Sequence, residues 1–336
     1  MYLYLFLCLI IIFILFYFVN NLLKNNILEN YQGIICNSFF EELNKKKYIV
    51  DEKNKIISFK DKKISYDKYF NTDIATRNAI NKIITSTILT KNNIPVPKFI
   101  EINLSISPSE IDKLIKSKKI NYPVVMKPIN GTYGTDVMTD IETMYELTDT
   151  INFFLEKKYK SVILEEQIPG DCYRIFVFNG SVIDIIKREK PYVIGNGSDT
   201  INKLIENRNL EQKNLNLFPI KNISKIVIEK QGYSLNDILP LNKKIFISNV
   251  INMHNGARIS RIPLDTIPQK NIDLFVKVNN AMEITCSGLD YLSEDITVEY
   301  DKNKSKVLEV NSRPDTEIHT KFGNFNFFEK IINSIF

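Results

Sequence analysis

Glycine is scarce in this chain, at 11 of 336 residues against an average near 7%, so each glycine position is informative. Cysteine is equally sparse. Cys8, Cys36, Cys172 and Cys286 lie far apart and form no C-x-x-C pair, which excludes a zinc ribbon and a disulfide framework and fits a reducing compartment. No G-K-[ST] Walker motif and no G-x-G-x-x-G fingerprint occurs, and no Ser-His-Asp or Cys-His spacing points to a nucleophilic side chain. Charge of one sign is nearly lacking in excess: 44 Lys and Arg against 39 Asp and Glu leave +5, too mild a bias for a nucleic-acid binder. What is present is ordinary for a globular protein, 44% hydrophobic and 25% charged residues, which rules out wholesale disorder and a polytopic membrane protein. The length of 336 residues accommodates two compact domains or one bilobed one.

The first charged side chain is Lys24, and Tyr2 to Val19 is an unbroken apolar and aromatic run. As a helix that run reaches about 27 Å, close to the hydrocarbon thickness of a bilayer. It has no basic n-region, and Asn20-Asn21-Leu22-Leu23 is a poor cleavage site. Residues 1–23 therefore predict an uncleaved single-pass anchor, and Lys24 with Lys45, Lys46 and Lys47 predicts a soluble part on the cytosolic side. Residues 24–70 read as a linker with a small N-terminal segment, in which Tyr48-Ile49-Val50 and Ile56-Ile57-Ser58-Phe59 have the character of hairpin strands.

Six of the glycines, Gly131, Gly134, Gly170, Gly180, Gly195 and Gly197, fall between residues 131 and 197, which directs the search for a ligand there. Pro123-Val124-Val125-Met126-Lys127-Pro128 reads as a buried strand ending in lysine, followed at once by Ile129-Asn130-Gly131-Thr132-Tyr133-Gly134-Thr135. Such a loop offers N–H groups and hydroxyls to a phosphate, and the lysine a point charge; an ordinary hairpin turn has the same composition. A strand-end lysine facing a ligand contributes little to the core, so Lys127 is expected to be dispensable for folding. The next strand, Ser161 to Glu165, runs into Glu166-Gln167-Ile168-Pro169-Gly170. After it, two strands flank Asn179-Gly180, the preferred dipeptide of a type I′ hairpin. The register of that turn pairs Arg174 with Ile185 and makes Arg174 and Lys187 neighbours on one face, with Arg188 and Lys190 extending the basic cluster. Such a pair is either a solvated face or an anion site.

In Lys306-Val307-Leu308-Glu309-Val310-Asn311-Ser312-Arg313-Pro314, Glu309 and Asn311 leave one face of a strand and carry hard oxygens suited to Mg²⁺. Gly288 to Tyr300 supplies a carboxylate-bearing strand to lie antiparallel beside it, with Asp301 to Ser305 as the turn. Surface acids on an edge hairpin are the alternative.

The order of these parts, from an Ile94-Pro95-Val96-Pro97 turn through VVMKP, the glycine loop, LEEQIPG, a YRIFVF hairpin, VIGNGSDTINKLI and LEVNSRP, resembles the ATP-grasp ligases. The likeness is to the ATP-grasp region of cyanophycin synthetases and related glutathione-forming enzymes, with D-alanine:D-alanine ligases more distant. It covers residues 71–336 and implies an α+β ATP-grasp fold, two α/β subdomains gripping ATP with a boundary near residue 160. It also implies ATP and Mg²⁺ or Mn²⁺ as cofactors. Carried over motif by motif, it gives Lys82 and Lys127 to the phosphates and Gly131, Thr132, Gly134 and Thr135 to the flap above them. Glu165, Gln167 and Ile168 fall at the adenine edge. Cys172 stands where an acidic residue commonly holds the ribose, with Asp171 as a substitute. Arg174 and Arg188, with Lys187 beside them, meet the phosphates or the reacting carboxylate. Glu309 and Asn311 hold the metal; for the remaining ligand the family pattern favours Asp290, whereas a tight hairpin favours Asp295. His319 matches a frequent histidine of the last motif, and His254 lies in a loop near the acceptor pocket. The chain departs from the pattern at Gly134-Thr135-Asp136, where Gly-Arg-Gly is usual, and at Asp315, where a glycine is usual.

The resemblance implies an ADP-forming carboxylate–amine ligase that works through an acyl phosphate on small acid and amine substrates, amino acid or peptide-like. The long additional domains of cyanophycin synthetases are not in this sequence. The altered flap and Cys172 leave a membrane-tethered nucleotide-binding protein without turnover as the alternative. Nucleic acid is not expected as a partner, and a homo-oligomer is left open.

Overall fold

The computed structural model describes residues 42–51, 53–54, 56–60, 62–65, 71–131, 134–214, 217–251, 255–320 and 326–335. The expected anchor over residues 1–23, part of the linker, Thr132 of the flap and His254 lie outside the described residues. Among the described residues no helix is long and apolar enough to cross a membrane. Two units are distinguished: residues up to 68 with 315–317 and 328–336, and residues 69–314 with 318–327.

In the smaller unit, β1 (Ile49–Asp51), β2 (Ile56–Phe59) and β3 (Lys62–Ser65) form an antiparallel sheet in that order. Its first two strands are the apolar stretches expected as a hairpin. Ile57 is fully buried, and Tyr48 stacks on Phe59 with centroids 4.3 Å apart.

The larger unit contains β4 (Phe99–Asn103), β5 (Val124–Lys127), β6 (Met138–Ile141) and β7 (Ser161–Glu166) in one antiparallel sheet of order β4-β7-β5-β6. Alternation sorts its faces. Val124, Met126, Val162 and Leu164 join Ile111, Ile115, Leu147, Ile151 and Phe154 of the helices Pro108–Ser117 and Met144–Glu156 in one core. Both helices start with a capping box, Ser107 with Glu110 and Thr143 with Glu146, which satisfies orphan N–H groups at the first turn. Each fully buried aliphatic or Phe side chain contributes about 1.5–3 kcal/mol. Lys127 and Glu165 leave the opposite face, because Val125 rather than Val124 stands opposite Glu165.

The chain continues through β8 (Asp171–Phe178), β9 (Ser181–Glu189), β10 (Tyr192–Ile194), β11 (Lys244–Phe246), β12 (Arg258–Arg261), β13 (Cys286–Ser293) and β14 (Lys306–Asn311). Five of these make a second antiparallel sheet of order β12-β9-β8-β13-β14. One face is apolar: Tyr173, Ile175, Val177, Leu289, Tyr291, Val307 and Val310 cluster with Leu274, Phe275 and Val278 of the helix Gln269–Ala281. The other face carries Arg174, Asp290 and Glu309 side by side across three strands. A small lobe, built on the β10–β11 pair and the helix Ile201–Asn214, has its own core of Val193, Ile201, Ile205 and Ile245.

Two register expectations are corrected. The Asn179-Gly180 turn forms as expected, with φ of 47° and 72°, but the ladder shifts between Phe176 and Val177. A bulge adds one residue to β9 and reverses which side chains share a face. Arg174 therefore pairs with Ile186, and it is Arg188, opposite Cys172, that shares its face; Lys187 stands opposite Tyr173 on the other. Likewise β13 ends at Ser293 and β14 begins at Lys306, so the connection is longer than Asp301 to Ser305 and the tight-hairpin count that favoured Asp295 does not apply.

Candidate active site

Lys127 ends β5 with 6% of its surface exposed, and its Nζ lies 2.6 Å from Glu165 Oε2, itself on a residue 3% exposed. The two residues assigned by resemblance to phosphate and adenine are thus joined in one buried ion pair. Lys82 opens the helix Lys82–Lys91, whose first N–H groups are capped by Asn81 Oδ1. Lys82 Nζ donates to Gly131 O at 2.6 Å and lies 3.6 Å from Glu309 Oε1, so it ties the glycine loop to the carboxylate of the last strand. Above it, Gly134 has φ +70° and Thr135 is exposed. Asp136, where the family usually has glycine, takes φ 55°, a conformation Asp tolerates better than most residues. Its carboxylate is held by Lys157 and by Tyr159 Oη at 2.7 Å, which anchors the base of the flap.

Across the second sheet, Asp290 Oδ1 lies 3.0 Å from Arg174 Nε and 2.8 Å from Arg188 Nη2. One buried carboxylate oxygen is thus shared by two guanidiniums at ion-pair distance. Burial alone would raise the Asp290 pKa, but Arg174 and then Arg188 outweigh it and hold the carboxylate below its usual range. Burial also works against the Arg188 charge, and Asp290 and the Cys172 sulfur reverse that, holding the guanidinium above its ordinary value. Arg188 Nη2 donates to Cys172 Sγ at 3.0 Å, and burial pushes the Cys172 thiol up. Arg174 Nη1 donates to Gly288 O at 3.2 Å. A Cβ at Gly288 would stand 2.8 Å from Arg174 Nη1 and 2.9 Å from Pro314 Cβ, so only glycine lets the guanidinium lie across β13.

Asp290 stands opposite Glu309, and Gly288 opposite Asn311, which brings Asp290, Glu309 and Asn311 onto one face. Asn311 Nδ2 donates to Gly288 O at 3.1 Å, so its Oδ1 is the end left to ligate. These are hard oxygen donors on one sheet face, and the Asp290 Oδ2, the Glu309 carboxylate and the Asn311 Oδ1 are the chemistry that Mg²⁺ takes, so the residues fit it. Among the described residues no group of three or more His, Cys, Asp and Glu is placed to hold a metal ion. Asp295 is not brought to this group; its carboxylate is exposed and accepts from Thr297 N at 2.9 Å and Thr297 Oγ1 at 2.7 Å.

Other expected residues lie apart from this cluster. Lys187 pairs with Asp171 at 2.5 Å on the face of Tyr173. Gln167 is spent on Asp140, donating to Oδ1 at 2.6 Å and accepting from its N–H at 2.7 Å. Ile168 is half-buried in the irregular segment after β7. His319 is buried, with Nδ1 2.8 Å from Asp184 Oδ2 and its ring stacked 5.2 Å from that of Phe327. Burial, only partly opposed by Asp184, pushes its pKa down. Arg261 completes this group, with Nε 2.9 Å from Asp184 Oδ1. Sequence reasoning missed Asp184, Arg261 and the close approach at Gly288; the G-L-D triplet before Tyr291 was the one signal for the last.

With this geometry in hand, a family profile described as a RimK-like ATP-grasp domain matches residues 79–192. The cyanophycin synthetase of Synechocystis sp. is 27% identical over 249 residues, 72% of this chain and 28% of that protein. The bifunctional glutathione biosynthesis protein of Streptococcus mutans is 27% identical over 252 residues, 71% of this chain and 32% of that protein. The chain thus spans less than a third of the length of either relative. Among solved structures, a bifunctional glutathione synthetase from Pasteurella multocida superposes with a TM-score of 0.57 at 18% identity, covering 89% of this chain and 42% of that one. Residues 79–192 of the chain are thus similar to a RimK-like ATP-grasp domain, and the fold around them is similar to that of a glutathione synthetase.

Proposed function

We propose that the chain is an ATP- and Mg²⁺-dependent carboxylate–amine ligase. The observation that carries this reading is the meeting of Lys82, Glu309, Asp290, Arg174 and Arg188 around one sheet face, with the glycine loop tied to it through Lys82. A substrate carboxylate attacks the γ-phosphate, giving an acyl phosphate and ADP, and an amine then displaces phosphate to form the amide. Lys82 and Lys127 hold phosphate oxygens, and Arg174 and Arg188 neutralise the charge that develops on the transferring phosphoryl or the attacking carboxylate. Asp290, Glu309 and Asn311 would hold Mg²⁺, whose part is to neutralise the phosphates when bound. No nucleophilic side chain is needed. The names of the two relatives, a cyanophycin synthetase and a glutathione biosynthesis protein, support amino-acid or peptide-like substrates.

Residues 1–23 act in this reading as a membrane tether with the ligase domain on the cytosolic side, where ATP is available; the apolar run from Tyr2 to Val19 supports it. The test of the ligase is ADP release from the full chain with ATP, Mg²⁺ and a mixed pool of amino acids and dipeptides, with mass spectrometry of the products. Release that depends on the pool and yields a condensed product is expected. Tight ATP binding with no pool-dependent release refutes it.

A further inference from the structure

Three cations gather on one ring, Lys244 and Arg208 from the small lobe and Arg258 from β12 of the five-stranded sheet. Lys244 Nζ lies 3.6 Å from the ring centroid of Tyr192, the Arg258 guanidinium 4.2 Å and that of Arg208 6.0 Å. Arg208 is 5% exposed and donates to Tyr192 O at 2.8 Å and Gly256 O at 2.7 Å. Those carbonyls fix the guanidinium in place but supply no countercharge. The Nε atoms of both Arg208 and Arg258 are buried without a hydrogen-bond partner. The carboxylate in register with Arg258 is Glu189, and it lies 3.8 Å from Lys244. Burial, and then the charge of Arg258, push the Arg208 pKa down to about 10. A single cation on the ring would be enough to hold the lobe together; here Glu189 meets Lys244 and the charge of Glu211 acts on Arg208, so three cations share two carboxylates and one positive charge is left for a further anion.

The place of the cluster bears on what that anion is. Arg258 begins the edge strand β12, and the next residue, Ile259, stands opposite Arg188. Adjacent-strand spacing and rise put the Cα atoms of Arg258 and Arg188 roughly 6 Å apart, while alternation sends their side chains to opposite faces. A group held by Arg258 is therefore not the one reacting beside Arg188 but a part of the same molecule that reaches around the sheet edge. Guanidinium forks suit a planar, bidentate anion.

We propose that Tyr192, Arg208, Lys244 and Arg258 form a subsite for a second substrate carboxylate, remote from the reacting group: the side chain of an acidic amino acid or the C-terminus of a peptide. The assignment of that carboxylate to the substrate rests on the ligase reading; the binding itself does not. The probes are glutarate, its neutral diamide glutaramide and inorganic phosphate, titrated calorimetrically into the full chain. Glutarate is expected to bind, glutaramide not to bind, and Arg258→Met to weaken glutarate about tenfold, with partial recovery in Arg258→Lys. Lys244→Met, expected to act in the same direction, serves if Arg258→Met does not fold. Glutarate bound equally by the folded variants, or glutaramide bound as well as glutarate, overturns the subsite. Phosphate bound more tightly than glutarate and lost in Arg258→Met overturns its assignment to a carboxylate. ADP release is then compared for glutamate against glutamine and for a dipeptide against its C-terminal amide; preference for the acidic side chain or the free terminus identifies the source. Release indifferent to both overturns the role in substrate choice while the ligase stands. Arg258-dependent glutarate binding with no ADP release from any substrate leaves the subsite and removes the ligase.

Discussion

On the four-stranded sheet, Lys127 and Glu165 meet one to one at 2.6 Å, with 8% and 4% of their side chains exposed. On the five-stranded sheet, Asp290 meets two guanidiniums at 3.0 and 2.8 Å and is 16% exposed. The first pair is closed, each charge answered by the other, and under the proposed function an incoming phosphate would share Lys127 with Glu165. The second is open, with one carboxylate between two cations and positive charge left over. An isolated buried pair adds little net stability over apolar residues of the same size, yet losing one partner is costly. The open cluster instead keeps electrostatic capacity for an anion or for charge that develops during reaction. The preset part of the site thus lies on the first sheet and the responsive part on the second.

The largest effect that tests this contrast is on the closed pair. Lys127→Ala leaves Glu165 buried and unpaired and is expected to cost roughly 3–5 kcal/mol, read as a lower urea midpoint without nucleotide. Replacing both partners, Lys127→Met with Glu165→Leu, recovers most of that stability but not the nucleotide affinity. A Lys127→Ala protein as stable as the parent breaks the comparison. It would also restore the simpler expectation that a strand-end lysine is dispensable for folding. On the open side, Asp290→Asn removes the countercharge of two arginines and is expected to cost about 2 kcal/mol. Asp295→Asn, at an exposed carboxylate that meets only Thr297, stays within about 0.5 kcal/mol. Equal costs at the two positions would return Asp295 to consideration.

The smallest expected effect concerns a third carboxylate on the same sheet face, Asp184, held by Arg261 and the neutral His319. The folded imidazole has a lowered pKa, so the unfolded chain takes up the proton first. Stability is full above about pH 6.5 and declines as pH falls below it, until the folded pKa is reached. Stability is expected to fall as the pH is lowered from about 6.5 to about 5.5, and this slope to be absent in His319→Gln. A melting temperature with the same pH slope in both proteins would show that the group does not titrate as described.

The motif strands were legible because each combines a short apolar run with a chemical end: VVMK, SVILEE and KVLEVN emerge as β5, β7 and β14. The Asn179-Gly180 turn was legible for the same reason, since few dipeptides take two positive φ values without strain. Which arginine joins Arg174 was not. One extra residue in β9 exchanges Lys187 for Arg188 on that face, and a strand apolar on both sides leaves no alternation from which to read the bulge. Nor could the Lys127–Glu165 pair be read, because it depends on the β5–β7 register rather than on either motif. Asp290 and Asp295 both precede the same strand, and only the length of the connection from Glu294 to Ser305 separates them.

The central claim is that the open cluster on the second sheet, with Glu309 and Asn311, is where Mg²⁺ and the transferring phosphoryl meet. Glu309→Gln keeps the size of the side chain and removes one charge at a position 28% exposed and 3.6 Å from Lys82. The direct measurement is turnover against Mg²⁺ concentration at saturating ATP, with metal-free nucleotide affinity and melting temperature as controls. The account predicts that half-saturation in Mg²⁺ rises by about tenfold or more, equivalent to at least about 1.4 kcal/mol, while both controls hold. Normal turnover of Glu309→Gln at limiting Mg²⁺ would contradict it.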